Sequence, residues 1–312
     1  MKVIVIGDLI IDVYHQGKIL GASVEALRFL PKTVIKHEIS QVSAGGAGLL
    51  VRNMLTLGGN VVFLTCVGGD SYAKEEASLF HKRLKKIVLK DPKRQTTVKE
   101  RFWVAGCKVL KWDRLDNKPI SPAIERKILN FAKNYIKNTD KVIISDYRHG
   151  LLTKTLARNL VRLAKTNRKP IYVDSQVAQN KTNHAWYRGA DLFCFNIKEA
   201  KSIDPKFAER EIKKSLARLQ KILQAKNVVL KLGDKGSVSL LGEKFIKTPA
   251  LKVKAVDTTG AGDAFFAVLA LSKNLTEREL KIANAWAGLK TTLYDNAQTP
   301  SLADLKKYIK LI

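Results

Sequence analysis

The chain has 312 residues, 46% of them hydrophobic, which fits one large α/β domain or two small ones with a sizeable core; no apolar run approaches the ~20 residues that cross a bilayer. The three cysteines, Cys66, Cys107 and Cys194, are too far apart for structural zinc or a disulfide framework, so each is expected to be a buried small hydrophobe in a reducing cytoplasm. The net charge of +28 would suit nucleic acid or an acidic membrane surface, but Lys and Arg are spread along nearly the whole chain without a zinc finger, RNA-recognition signature or basic zipper, so a dedicated nucleic-acid role is not expected and the charge is only partly explained.

Residues 3–6 are a continuous apolar run ending at Gly7-Asp8, which predicts a strand buried on both faces of a parallel sheet rather than a leader peptide. Asp12 follows a second apolar group at 9–11. Ligands of open α/β sheets bind beyond the strand ends, so Asp12 is either a hydroxyl-binding carboxylate or an ordinary strand-end turn residue. Residues 13–42 carry short β-like pieces, Phe29-Leu30 and Thr33-Val34-Ile35, broken at Pro31. The cluster Ser43-Ala44-Gly45-Gly46-Ala47-Gly48 then opens an apolar helix stopped by Gly58-Gly59; Gly45 and Gly46 permit close backbone approach to a polar ligand. Another buried strand follows at 61–67. The basic stretch from His81 to Arg94 reads as a solvated helix face leading into a loop. Residues 96–104 and 108–112 form a predicted hairpin, on which Lys99 and Arg101 face either a phosphorylated ligand or solvent.

Apolar residues at helical spacing (Ile124, Ile128, Phe131, Tyr135) precede a buried strand at 142–147, where Asp146 can orient a ligand or cation. His149 reads as a loop residue. A basic amphipathic helix over 151–165 and a strand ending at Asp174 continue the strand–helix alternation of a parallel sheet. Residues 192–200 run from strand into helix through Asn196-x-x-Glu199. That pattern is a capping box, and it also suits an Asn turned toward phosphate with a Glu holding water on Mg²⁺. A charged amphipathic helix over 208–223 precedes a strand, a turn at Gly233 and Gly236, and a return strand. Residues 282–288 form a small-residue helix containing Asn284.

Between these lies Asp257-Thr258-Thr259-Gly260-Ala261-Gly262-Asp263, followed by an apolar helix over 264–271. Two glycines let the backbone approach a ligand, and the free N–H groups of the following helix suit a phosphate. Asp263, in the first turn, can take a proton from an attacking hydroxyl. A lone Gly-x-Gly-Asp would more often be a turn capping a buried helix.

The whole string resembles the C-terminal signature of the ribokinase-like, or pfkB-type, sugar kinases. The resemblance implies an anion hole at Gly260, Ala261 and Gly262, with Asp263 as catalytic base and Asp257 near the ATP phosphates and a bound cation. It implies sugar binding by Asp12 and by the Gly45-Gly46 signature, in which Leu49 stands where the family has a sugar-contacting Asn and Asn53 matches a second Asn one turn later. Asp12-x-Tyr14, Ser23-x-Glu25-Ala26, Arg101, Asp113 and Ser145-Asp146-Tyr147 are similar to heptose-phosphate kinase domains. On the nucleotide side it implies roles for Asn196, Glu199 (Mg²⁺ through water), Lys231 in place of the usual Thr, Gly233, Gly236 and Asn284. The implied fold is a three-layer α/β/α body with a mostly parallel sheet and a small β-sheet lid. A single kinase domain over 1–312, with lid segments at about 13–42 and 96–113, is expected, without an adenylyltransferase half. The implied activity is ATP-dependent phosphorylation of a sugar or sugar phosphate, foremost a heptose 7-phosphate at its anomeric hydroxyl. Mg²⁺, a candidate monovalent cation and a lid-mediated homodimer go with it. The alternatives are a kinase for another sugar or a nucleoside, and a non-catalytic, nucleic-acid-associated relative.

Overall fold

A computed structural model describes residues 1–22, 31–35, 41–80, 84–179, 181–294, 296 and 298–309. The apolar runs form a nine-stranded sheet in the order β14-β13-β12-β11-β10-β9-β1-β5-β6. These strands are β1 (Lys2–Gly7), β5 (Asn60–Val67), β6 (Lys85–Lys90), β9 (Lys141–Asp146), β10 (Ile171–Ser175), β11 (Leu192–Asn196), β12 (Asn227–Lys231), β13 (Ser237–Leu241) and β14 (Lys244–Thr248). Pairing is parallel from β6 to β12 and antiparallel through β13 and β14.

Because successive strand side chains point to opposite faces, each apolar run feeds two cores. Ile4, Ile6, Val142, Ile144, Phe193 and Phe195 pack on one face, with α3 (Pro122–Ile136), α4 (Lys154–Thr166) and α6 (Ile212–Leu223). Val3, Val5, Ile143, Leu192 and Cys194 pack on the other, with α1 (Ala47–Thr56), α7 (Ala261–Leu271) and α8 (Glu277–Thr291). This is the expected three-layer body. No described helix is long and apolar enough to cross a membrane.

A second sheet runs β3-β2-β7-β8, with β4 also paired to β2. Its strands are β2 (Leu9–Ala22), β3 (Pro31–Ile35), β4 (Gln41–Gly46), β7 (Val98–Val104) and β8 (Cys107–Arg114). The β7–β8 hairpin turns at Ala105 (φ 49°) and Gly106 (φ 78°), the left-handed pair that two-residue hairpin loops need.

Five local expectations are corrected. Asp12 does not end a strand: β2 runs on through it to Ala22 within the lid sheet, and Asp12 lies opposite Ser43 and Lys99. Residues 43–46 are strand rather than helix, because they pair with residues 9–12 of β2; the helix starts at Ala47. Pro31 begins β3 instead of breaking it, as the first residue of an edge strand, where a missing N–H is tolerated. Lys85, Lys86 and Lys90 lie on strand β6, not on a helix, because Ile87, Val88 and Leu89 add to the sheet edge where lysines deter further pairing. Residues 81–83 of that basic stretch, Phe29-Leu30 and Ser23-Val24-Glu25-Ala26 lie outside the described residues. Cys66 and Cys194 are buried, whereas Cys107 is exposed because it opens β8 at the hairpin tip.

Candidate active site

Parallel strands release their chains at one edge of the sheet, and the polar residues that follow them meet there. A cleft of about 660 Å³ opens at this edge. Asp12 and Gly46 enter it from β2 and β4, Tyr147 follows β9, and Asp174, Asn196 and Lys231 come from the ends of β10, β11 and β12. Lys99, Arg101, Lys108 and Lys111 reach it from the lid hairpin. Gly260 to Asp263, at the start of α7, also line it, as do Glu199, Gly233, Gly236 and Asn284. Residues far apart in the chain thus share one cavity.

The α7 start is built for close approach. Gly260 caps the helix at φ 79°, a backbone conformation costly for any residue with a Cβ. A methyl there would lie 2.4 Å from Leu49 Cδ2 and 2.9 Å from Asn296 Oδ1. Leu49, standing in the family's Asn position, is therefore the floor under the anion loop. Gly260→Ala is expected to cost about 1–3 kcal/mol through overpacking and positive φ, which a denaturant midpoint measures, and to cut turnover at least about tenfold by moving the loop amides. The Ala261 amide donates weakly to Thr258 O at 3.3 Å, while among the described residues the amides of Gly262 and Asp263 have no partner. Those two N–H groups are free for an anion.

Asp263 stands beside them. Burial pushes its carboxyl from the ordinary range up to about 7, and Asp174 and Asp12 add to the rise; a hydrogen bond from the Tyr147 hydroxyl (2.5 Å) and the Lys231 ammonium pull it down. Lys231 Nζ lies 2.6 Å from Asp174 Oδ2, and a Cβ on Gly262 would be 3.4 Å from the same nitrogen. A cation therefore faces the helix start. Burial disfavours its charge, but Asp174, Cys194 and Glu199 outweigh that and raise the Lys231 pKa.

Asn196 and Glu199 make the full capping box: Asn196 Oδ1 accepts from the Glu199 amide at 2.9 Å, and Glu199 Oε2 accepts from the Asn196 amide at 2.7 Å. Burial raises the Glu199 carboxyl to about 7, opposed by Lys231. Among the described residues no group of three or more His, Cys, Asp or Glu could enclose a metal ion. The oxygen set at Glu199 instead fits a Mg²⁺ that keeps its waters and arrives with nucleotide phosphates.

On the other side, Asp12 is buried, which raises its pKa, and its Oδ2 accepts from Asn296 Nδ2 at 2.9 Å. Gly45 does not line the cleft. It makes room for this carboxylate, since a Cβ would lie 2.1 Å from Asp12 Oδ2. Burial lowers the Lys99 pKa against the opposing pull of Asp12 and Asp113. Arg101 donates to Asp113 Oδ1 at 2.8 Å.

Besides Gly45, three expected site residues lie off the cleft lining. Asn53 is fully buried; its amide donates to Leu49 O and accepts from Trp286 Nε1, so it ties α1 to α8. Asp146 is buried and accepts from Ser175, Asn183, Tyr187 and the Arg148 amide. Asp257 closes an Asx turn by accepting from the amide and hydroxyl of Thr259, 4.0 Å from Lys108 Nζ of the lid. Asn284 lines the cleft, but its Nδ2 is spent on Ser237, Thr248 and Leu280. His149 is a buried loop residue, bonded through Nδ1 to Asn117. The sequence reading missed Tyr147, Asp174 and Asn296 as site residues. The first two directly follow or end parallel strands, and that position was the available signal.

The chain matches the family model for pfkB family carbohydrate kinases over residues 1–301. It is 30% identical over 317 residues to the bifunctional protein HldE of a Nitratiruptor species, covering 100% of this chain and 65% of that protein. The chain spans less than two thirds of the length of the curated relatives it matches foremost. The fold is similar to phosphofructokinase-2 from Escherichia coli in complex with fructose-6-phosphate (TM-score 0.77, 17% identity, 100% of this chain and 99% of that one). It is also similar to Arabidopsis thaliana ribokinase complexed with ribose and ATP (TM-score 0.71, 21% identity, 99% and 98%). A family match across nearly the whole chain, on a ribokinase-like fold whose strand ends and α7 start meet in one cleft, places this protein in the pfkB family of carbohydrate kinases.

Proposed function

We propose that this chain transfers the terminal phosphoryl group of ATP to a hydroxyl of a phosphorylated sugar, foremost a heptose 7-phosphate at its anomeric hydroxyl. The observation that carries the reading is the placement of Asp263 beside the free amides of Gly262 and Asp263, in one cavity with Asp12 and four lid cations. The acceptor oxygen gives its proton to Asp263 and attacks the terminal phosphorus. The bond from that phosphorus to the bridging oxygen breaks, and ADP leaves with the bonding electrons. The amides and the Lys231 ammonium hold charge on the transferring group. Mg²⁺ carried by ATP would supply further charge neutralisation, with Glu199 placed to hold one of its waters and Asn196 toward phosphate. Asp257, engaged in its own turn, remains a candidate neighbour for a monovalent cation.

The acceptor is assigned on the lid cations. Burial disfavours the Lys99 ammonium, Asp12 and Asp113 offset this only in part, and among the described residues it forms no salt bridge, so a phosphate dianion would restore its solvation. Similarity to bifunctional HldE proteins and the heptose-kinase-like motifs support a heptose phosphate. Lys99→Ala is expected to raise KM for the sugar phosphate about tenfold or more while KM for ATP stays within about twofold, as steady-state kinetics measure. Equal turnover of free and phosphorylated sugars by the unaltered chain would remove the phosphate from the assignment. Turnover confined to nucleosides would replace the substrate class.

The lid also supports self-association. Strand β8 is exposed on both faces and presents Val109, Leu110 and Trp112 to solvent, an edge that a second copy would cover. The reaction draws on ATP, and the free thiols Cys66, Cys107 and Cys194 suit a reducing cytoplasm.

A further inference from the structure

We propose that Tyr147 is the positioning residue of the base: its hydroxyl occupies one oxygen of the Asp263 carboxylate, so that the other is presented to the acceptor hydroxyl. The inference rests on the reading of Asp263 as general base, and it gives a task to a residue that the phosphoryl-transfer scheme leaves idle.

The geometry begins with the contact itself. Tyr147 OH donates to Asp263 Oδ1 at 2.5 Å, across 116 residues of sequence, and both side chains line the cleft. Among the described residues no hydrogen bond engages Oδ2. A phenol can donate one hydrogen bond, and a carboxylate is the stronger acceptor, so the proton sits between them with the charge on Asp263. Burial and the charge of Asp263 raise the Tyr147 pKa well above its ordinary value, which keeps the phenol a donor over the whole working range.

The tyrosine is held by an unusual amount of protein. The loop after β9 wraps round the buried Asp8 carboxylate. Asp8 Oδ2 accepts from the amides of Tyr147 (2.9 Å) and His149 (3.4 Å), and Oδ1 from that of Leu151 (3.3 Å). Asp146 Oδ1 accepts from the Arg148 amide at 2.8 Å, and its Oδ2 is fixed by Ser175, Asn183 and Tyr187. Arg148 sits at φ 64°, a strained conformation for a residue with a long side chain. Burial and the neighbouring Asp146 push the Asp8 carboxyl up to about 7. Two carboxylates placed so close cost stability, and a turn that only had to connect β9 to α4 would not need them. They fix the backbone at Tyr147. Asp146 thus acts through the tyrosine rather than on a ligand.

The groups that face Asp263 set the sign of the test. Tyr147, in the loop after β9, and Lys231, from β12, lower its pKa; Asp174 and Asp12, from β10 and β2, raise it. Lys99 Nζ lies 5.9 Å from the Tyr147 ring centroid. Loss of the phenol leaves the acids in place and removes one of the two lowering groups, so the base titrates at higher pH.

The test is the pH profile of kcat/KM for the sugar phosphate with Tyr147→Phe in the full chain. The acid limb is expected to move up by about one pH unit, with kcat down about tenfold or more and KM for ATP unchanged. A second variant moves the limb the other way: 3-fluorotyrosine placed at 147 by stop-codon suppression is a stronger donor and shifts it to lower pH while keeping the hydroxyl that makes the contact. Acid limbs at the unaltered position in both variants, beside an inactive Asp263→Asn, would overturn the role of Tyr147 and leave the base intact. An active Asp263→Asn would instead overturn the reading on which it rests. If Tyr147→Phe does not fold, the fluorinated protein alone decides, since an unmoved limb there contradicts the proposal.

Discussion

Asp263→Asn is expected to lower kcat by about 10³-fold, within the range that a positioned base contributes, while ATP binding persists. The amide cannot take the acceptor's proton, but it keeps the shape of the side chain and a partner for Tyr147. Stability is expected to move in the opposite direction. Burial raises the native Asp263 carboxyl to about 7, so between the ordinary carboxylate range and that pH the folded chain holds a proton that the unfolded chain has lost. Stability therefore falls as pH rises through this window, and the loss is complete above about 7. Asn removes the charge that burial penalises. The variant should melt ~2–4 °C higher than the unaltered protein at pH 8.5 and show little difference at pH 4, read by scanning calorimetry. In the unaltered enzyme the same shift places the acid limb of kcat/KM near pH 7, with Glu199 titrating in the same range.

Lys231→Met is expected to lower kcat by about 10²-fold, the size of effect seen when one preorganised charge at a phosphoryl or oxyanion site is lost. The ammonium lies 2.6 Å from Asp174 and faces the first turn of α7, so its effect should fall on the terminal phosphate. Affinity for a non-hydrolysable ATP analogue should drop about tenfold or more while affinity for ADP changes little, as titration calorimetry measures. The variant also leaves Asp174 unpaired near Asp263, which raises the base further and moves the acid limb upward. Asp174→Asn combined with Lys231→Met should restore part of that shift, because the pair is removed together. Equal losses for ADP and the ATP analogue would place Lys231 at the wrong phosphate.

The parts of the site that were legible in the sequence are those carried by contiguous residues. The string from Asp257 to Asp263 needs two glycines and an apolar helix in succession, and the capping box at Asn196 and Glu199 needs a three-residue spacing; both are local properties. The buried runs at 3–6, 142–146 and 192–195 read as core strands because each must be apolar on both faces. What escaped depends on register and on contacts between distant strands. Tyr147 meets Asp263, and Lys231 meets Asp174, only once β9 to β12 are assembled in one sheet and α7 packs against it. Asn53 fitted the family pattern, yet its amide serves Trp286, while Asn296, which has no local signature, holds Asp12. The lysine-rich segment at 85–90 was misread because a short run of basic and apolar residues satisfies helical and strand spacing alike, and pairing with β5 decides between them.

The central claim is that Asp263 takes the proton of a sugar-phosphate hydroxyl as the terminal phosphorus of ATP is transferred. The most direct measurement is ³¹P NMR of the purified chain and of Asp263→Asn, each with ATP, Mg²⁺ and a heptose 7-phosphate. The expected result is ADP and a sugar bisphosphate formed in equal amounts by the unaltered chain, with turnover all but lost in the variant. Bisphosphate formed at comparable rates by both proteins would contradict it.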